Sequence, residues 1–228
     1  MKALLYKEFK LAMHPICYIF VIAFPLMVLI PSYPIAIGFI YVLTCYPILF
    51  LGANKGQQSN DLLYSTLLPV RKKDIVMARM LTVIILQFAF IILMACLSPL
   101  AKLIQDSIAS SSGDKPTPGL TIDGFVSVVA IALVGYAIAD LIFFPIYYKN
   151  GKSIVMSTLL TILGFILYLS ITTIAIPYIP GGDGYVNLLC NSGIGIQFAF
   201  LGGALVIYLA IHILVYIISS KNLELVDF

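Results

Sequence analysis

Charge is what this sequence has least of: 10% of its 228 residues are Asp, Glu, Lys or Arg, while 61% are hydrophobic. A soluble domain carries about a quarter charged residues. So little polar surface cannot cover a water-soluble globule. Histidine is scarce too. His14 and His212 are the only two, far apart and without an acidic or cysteine cluster at ligand spacing, and a lone helical histidine reads first as a packed or interfacial residue. The four cysteines, Cys17, Cys45, Cys96 and Cys190, show neither metal spacing nor a disulfide framework. Three lie in apolar runs and Cys190 in a short polar loop. Nucleophile-elbow and zincin motifs are also missing, so an integral membrane hydrolase is poorly supported.

Long apolar runs are what the chain has instead. Six segments, at about 15–31, 34–53, 80–101, 122–148, 154–176 and 194–219, are each bounded by turn or charge signals. A helical span takes about 20 apolar residues, and a bilayer requires every backbone amide to be satisfied inside the helix. The sequence therefore predicts an all-α membrane protein with six transmembrane helices, a single domain over 1–228, and no soluble domain. The first run is short, and an amphipathic interfacial helix over 1–14 leads into it. On a helical wheel Leu5, Phe9, Ala12, Met13 and Ile16 form one stripe, with Lys7 and Lys10 off it. After Ile30 the chain reads Pro31-Ser32-Tyr33-Pro34, with no small-x-small cleavage site, so the start reads as a retained helix rather than a signal peptide.

Lys and Arg placement sets the expected orientation. Lys2, Lys7, Lys10, Lys55, Arg71, Lys72, Lys73, Arg79, Lys149, Lys152 and Lys221 fall on one side, and Lys102 and Lys115 on the other. By the positive-inside rule the eleven mark the cytoplasm, which places both termini there. The expected extracellular loops are 102–121, with Ser-Ser-Ser-Gly-Asp and Pro-Thr-Pro-Gly, and 177–193, with Pro180-Gly181-Gly182-Asp183-Gly184 and then a short interfacial or re-entrant stretch.

The long inner connection, 54–79, carries the most information. Ser59, Asn60 or Asp61 can cap a short helix that presents Leu62, Leu63, Tyr64 and Leu67 before Pro69 stops it. Arg71, Lys72 and Lys73 make a cationic step, and Asp74 can cap the helix that climbs into the membrane. Exposed leucines in the cytoplasm need a hydrophobic partner; the bland alternative is a helix lying on the membrane surface. Inside the spans, Asp140 is an acidic group about 13 Å from Lys149 along a straight helix. Such a group is costly in a bilayer and faces protein or a water-filled cavity. It is a candidate for lining or gating a translocation path, against a plain packing hydrogen bond, and Gln87 is a weaker candidate of the same kind. Ala199 and Gly203 have the spacing for close helix approach. Gly151-Lys152-Ser153 imitates the end of a phosphate-binding loop, but Ile146 stands where its first glycine belongs and a membrane helix precedes it. The expectation is no ATPase site and no cofactor in this chain.

Between the second and third apolar segments, Asp61-Leu62-Leu63-Tyr64-Ser65-Thr66-Leu67-Leu68-Pro69-Val70-Arg71-Lys72-Lys73-Asp74-Ile75-Val76-Met77-Ala78-Arg79 resembles permease subunits of type-2 ABC exporters. Phe144-Pro145-Ile146-Tyr147-Tyr148-Lys149-Asn150-Gly151-Lys152 and the amphipathic start are similar to a small bacterial branch that includes the phenol-soluble-modulin exporter permeases. The resemblance implies a coupling helix that docks on a separate nucleotide-binding subunit. Asp61, Leu62, Leu63 and Tyr64 would sit in that subunit's groove, and Arg71, Lys72 and Lys73 would border it. It implies ATP and Mg bound by the partner ATPase, a second permease copy or a paralogue, contact with membrane lipid, and no nucleic acid. It implies a bacterial cell membrane and export of an amphipathic or hydrophobic peptide. Two rivals stand beside it. A secondary transporter of a small solute would need a polar site near the bilayer midplane. A non-transporting immunity or signalling module would not need the long inner connection.

Overall fold

The computed structural model describes residues 2–12, 15–26, 29, 70–112, 122–150, 154–172 and 193–225. Helix α1 (Lys2–Lys7) runs into a π-helical turn (Glu8–Ala12) and is followed by α2 (Pro15–Leu26), α3 (Lys72–Ser112), α4 (Ile122–Asn150), α5 (Ile154–Ser170) and α6 (Ile194–Leu225). No strand occurs among the described residues. Among the described residues three helices contain stretches long and apolar enough to span a membrane, Lys72–Ala101, Phe125–Lys149 and Ile194–Leu225, with α5 a shorter apolar helix. The second apolar segment, 34–53, and most of the inner connection, including Asp61, Leu62, Leu63 and Tyr64, lie outside the described residues.

One helix, α3, differs from expectation at both ends. α3 has 41 residues, about 60 Å of helix, against a hydrocarbon core of about 30 Å. It continues to Ser112 through residues expected to be loop, because Ala101 to Ile108 holds good helix formers and the turn chemistry begins only at the serine run. At its other end α3 starts at Lys72, and the Asp74 amide donates to the Arg71 carbonyl at 2.9 Å. Asp74 is therefore a first-turn acid, complementing the helix dipole, rather than the residue before the helix.

α4 is the central element. It packs most extensively against α6, then against α5, while α3 lies against α2, α6 and α4. The buried face of α6 is a stripe of Gln197, Ala204, Tyr208, His212, Val215, Ser219 and Leu223, at steps of three, four or seven residues, with Ser220 buried beside it. Its other faces, with Phe198, Val206, Leu209, Ile213 and Leu214, are exposed apolar surface. That is the arrangement a bilayer favours, with lipid touching the hydrocarbon side chains and polar groups turned inward. Glycines bring α4 and α5 together: a Cβ at Gly135 would lie 2.6 Å from Phe165, and one at Gly164 would collide with Ile142. Tyr136 stacks on Phe165 across this contact at 5.9 Å, and the Tyr168 hydroxyl donates to the Ile131 carbonyl at 3.1 Å.

Several hydroxyls are satisfied within their own helices. Pro99 has no amide to give the Ala95 carbonyl, and the Ser98 hydroxyl donates to that oxygen at 2.9 Å instead. Thr82, Thr158 and Thr161 donate to the carbonyls four residues back, at 3.0, 2.9 and 2.7 Å. In a low-dielectric surrounding an unsatisfied hydroxyl would cost free energy, so this internal bonding is expected.

Candidate functional site

Two buried polar centres stand out in an otherwise apolar bundle. The first lies at mid-depth. Gln87 is at the middle of the apolar stretch of α3, Asp140 lies within a turn of the middle of that of α4, and Tyr208 and His212 bracket the middle of that of α6. Asp140 and Gln87 are fully buried, Tyr208 and His212 nearly so. The Gln87 amide nitrogen donates to Asp140 Oδ2 at 3.0 Å, and its carbonyl oxygen accepts from the Tyr208 hydroxyl at 2.5 Å. His212 Nε2 is 2.9 Å from the same Oδ2, and Nδ1 is 2.8 Å from the Tyr208 backbone carbonyl. Three helices thus meet on one carboxylate oxygen. Tyr208 and His212, four residues apart, share one face of α6, with ring centroids 4.0 Å apart.

The second centre lies where α3 begins and α4 ends. Arg79 and Glu8 are 3% and 5% exposed, which for an arginine and a glutamate requires pairing. Arg79 Nε donates to Glu8 Oε2 at 3.1 Å, Nη2 to Oε1 at 3.5 Å, and Nη1 to the Tyr147 hydroxyl at 3.0 Å. Lys7 Nζ is 3.8 Å from Glu8 Oε1. The planar guanidinium joins three elements: the turn after α1, the start of α3 and the end of α4. Among the described side chains of the N-terminal segment, Leu4 and Glu8 are buried, with Leu5 and Phe9 half-buried beside them, and the charge pair draws Glu8 inward. The side chains of Ala12, Met13 and Ile16 in the expected stripe lie outside the described ones. Close by, the Asn222 side chain donates to the Pro145 carbonyl at 3.0 Å, and Lys73 meets Glu224 at 3.4 Å on the surface.

Of the residues singled out in the sequence, Asp140 and Gln87 are brought into direct contact. Arg71 and Lys73 are exposed and Lys72 is half-buried at the start of α3. Ala199 and Gly203 line an apolar groove of about 470 Å³ between α4, α5 and α6. His212, read as a packed or interfacial histidine, belongs to the mid-depth centre. Tyr208, Glu8 and Tyr147 carried no functional reading in the sequence. The available signals were the Tyr208–His212 spacing and the position of Glu8 as the sole acid before Asp61. Among the described residues no group of His, Cys, Asp and Glu could hold a metal ion.

Long apolar helices with their polar groups turned inward define a multi-pass membrane protein. The chain belongs to a known family of these: a model described as "ABC-2 family transporter protein" matches residues 3–224, nearly the whole length. Membership makes it the permease of an ABC transporter, with ATP hydrolysis in a separate subunit. Comparison with curated proteins and comparison with solved structures each give no match.

Proposed function

We propose that this chain is the membrane subunit of a bacterial ATP-driven exporter, and that the segment 54–79 couples it to the ATPase through Asp61, Leu62, Leu63, Tyr64 and the cationic step Arg71, Lys72 and Lys73. The observation that carries the reading is the Arg79 clamp. The clamp lies seven residues into α3, at the last residue of the coupling segment, and holds the N-terminal turn and the end of α4 at once. A push on the coupling segment therefore reaches three elements together rather than bending one helix. Orientation follows the cation asymmetry, with both termini cytoplasmic. The working unit is two permeases, identical or paralogous, with two ATPase subunits that bind the ATP and Mg.

The cargo in this reading is an amphipathic or hydrophobic peptide. Its support is the similarity of Phe144 to Lys152 and of the amphipathic start to the phenol-soluble-modulin exporter branch. Two open apolar grooves suit such a cargo: the one beside Ala199 and Gly203, and one of about 330 Å³ between α3 and α6. Asp140 and Gln87 act as gating residues between helices that the coupling segment moves. The mid-depth polar centre is also what a secondary transporter would need, but family membership decides for an ATP-driven permease.

The test is co-purification of the permease with its ATPase subunit in detergent. A buried leucine contributes about 1.5–3 kcal/mol, and a charge in an apolar groove adds a penalty. Leu62→Asp with Leu63→Asp should release the ATPase while the permease still inserts, since no spanning residue changes. Retention of a bound and coupled ATPase by the double variant would remove this loop as the docking element.

A further inference from the structure

The mid-depth centre has a fixed proton count. A backbone carbonyl only accepts, so His212 Nδ1, 2.8 Å from the Tyr208 carbonyl, carries a hydrogen. The 2.9 Å contact between Nε2 and Asp140 Oδ2 then needs one proton between the two atoms. The pair is net neutral whether that proton sits on nitrogen or on oxygen. The orientation of Gln87 is fixed by the same logic. Its amino group must face the carboxylate, because the reverse would set two acceptors against each other. Removing the shared proton would leave two lone pairs facing each other and an ionised carboxylate in the bilayer interior.

We propose that this cluster is a proton-dependent latch: one proton shared by Asp140 and His212 keeps α3 joined to α4 and α6 through Gln87, and loss of that proton releases α3. Gln87 is the positioning residue. It bridges Asp140 on α4 and Tyr208 on α6, so it stays in register only while those helices hold their present spacing. Other charges are remote or absent. α2 and α5 contain no Asp, Glu, Lys, Arg or His. The nearest charged residue on α3 on the side of its start is Arg79, eight residues or about 12 Å along the axis and already paired with Glu8. Tyr216, one turn past His212 on α6, lines the groove between α3 and α6 beside the imidazole. The other walls of that groove, Met77, Met80, Ile84, Leu209 and Ile213 among them, are apolar, so the ring faces a dry wall in this state and exchanges its proton when α3 and α6 part.

The latch deepens the permease reading and rests on it, because it supposes that α3 moves. Its test omits the ATPase, so its failure would leave docking through Leu62 and Leu63 untouched. The full chain, carrying His14→Gln so that His212 is the sole histidine, is placed in lipid nanodiscs with ¹⁵N-labelled histidine. Spin labels at Leu103→Cys and Ile194→Cys, both exposed positions, report the separation of α3 and α6 in a background with the native cysteines replaced by alanine.

From about pH 5 to about pH 10, a range that brackets ordinary and shifted imidazoles, two readouts should change together. The nitrogen spectrum should lose the shared proton, and a longer α3–α6 distance should grow. For a one-proton event the ratio of the two distance populations rises by up to about tenfold per pH unit. Gln87→Leu should show the longer distance at every pH. Asp140→Asn combined with His212→Gln, which leaves nothing to titrate, should show no pH dependence. A distance distribution that ignores pH, or a pH response retained in the double variant, would overturn the latch. If the double variant does not fold, the two readouts on the chain with Asp140 and His212 intact decide: loss of the proton at His212 Nε2 while the α3–α6 distance stays short contradicts the proposal.

Discussion

At the scale of the residue, the bundle depends on a few polar groups whose surroundings make them expensive to disturb. Arg79 is the clearest case. Removing one partner of a buried ion pair leaves the other uncompensated and costs about 3–5 kcal/mol, whereas replacing both partners is far milder. Arg79→Met should therefore lower the thermal unfolding midpoint in detergent well below that of the double variant Glu8→Gln with Arg79→Met. Equal loss in both would show that the guanidinium acts by packing alone. The exposed pair Lys73–Glu224 should behave differently, since surface ion pairs contribute about 0–1 kcal/mol and its groups are about half exposed. Asp140→Ala should reduce transport and ATPase stimulation more than it reduces the yield of folded protein, if the carboxylate gates the path. Parallel loss of folding and activity would assign it to packing.

At the scale of the element, the contacts that hold the helices together are close approaches and hydrogen bonds, because lipid offers no hydrophobic driving force between helices. Gly135 is enclosed by Phe165 and Tyr168 of α5. Gly135→Val should part α4 from α5 and destabilise the protein by about 1–3 kcal/mol, the usual cost of overpacking. Thermal unfolding of the purified variant checks it, and an unchanged midpoint would mean that the two helices separate freely at this point. The same helices show how much a sequence can say. Apolar run length places α3, α4, α5 and α6, because each span needs enough hydrocarbon to match the bilayer. The end of α3 is harder to read: Ala101 to Ile108 is polar enough for a loop but rich in helix formers. Asp140 and Gln87 stand out singly as polar residues in apolar runs. Their contact does not, because the rotation of α3 against α4 is fixed by packing among residues 53 positions apart. Glu8 and Arg79, 71 positions apart, are hidden for the same reason. His212 is masked by its own scarcity, since one histidine on a helix gives no pattern until Asp140 is opposite it.

At the scale of the whole molecule, two buried polar centres tie the permease together at different depths. The Arg79 clamp joins the N-terminal turn, the start of α3 and the end of α4, and the Asp140 centre joins α3, α4 and α6 at mid-depth. The cation asymmetry predicts that a cysteine at Ser111, in an otherwise cysteine-free chain, is labelled from outside intact cells, and one at Ser59 only from inside. External labelling of Ser59 would invert the orientation. The central claim, that ATP hydrolysed in a separate subunit drives a peptide across through this chain, has a direct measurement. Inside-out vesicles containing the permease and its ATPase subunit are given a fluorescent amphipathic helical peptide, with and without ATP, and its accumulation in the lumen is followed. Accumulation should require ATP and both subunits, and should be lost in the Leu62→Asp, Leu63→Asp variant. ATP-independent accumulation, or accumulation unchanged in the absence of the ATPase subunit, would contradict the account.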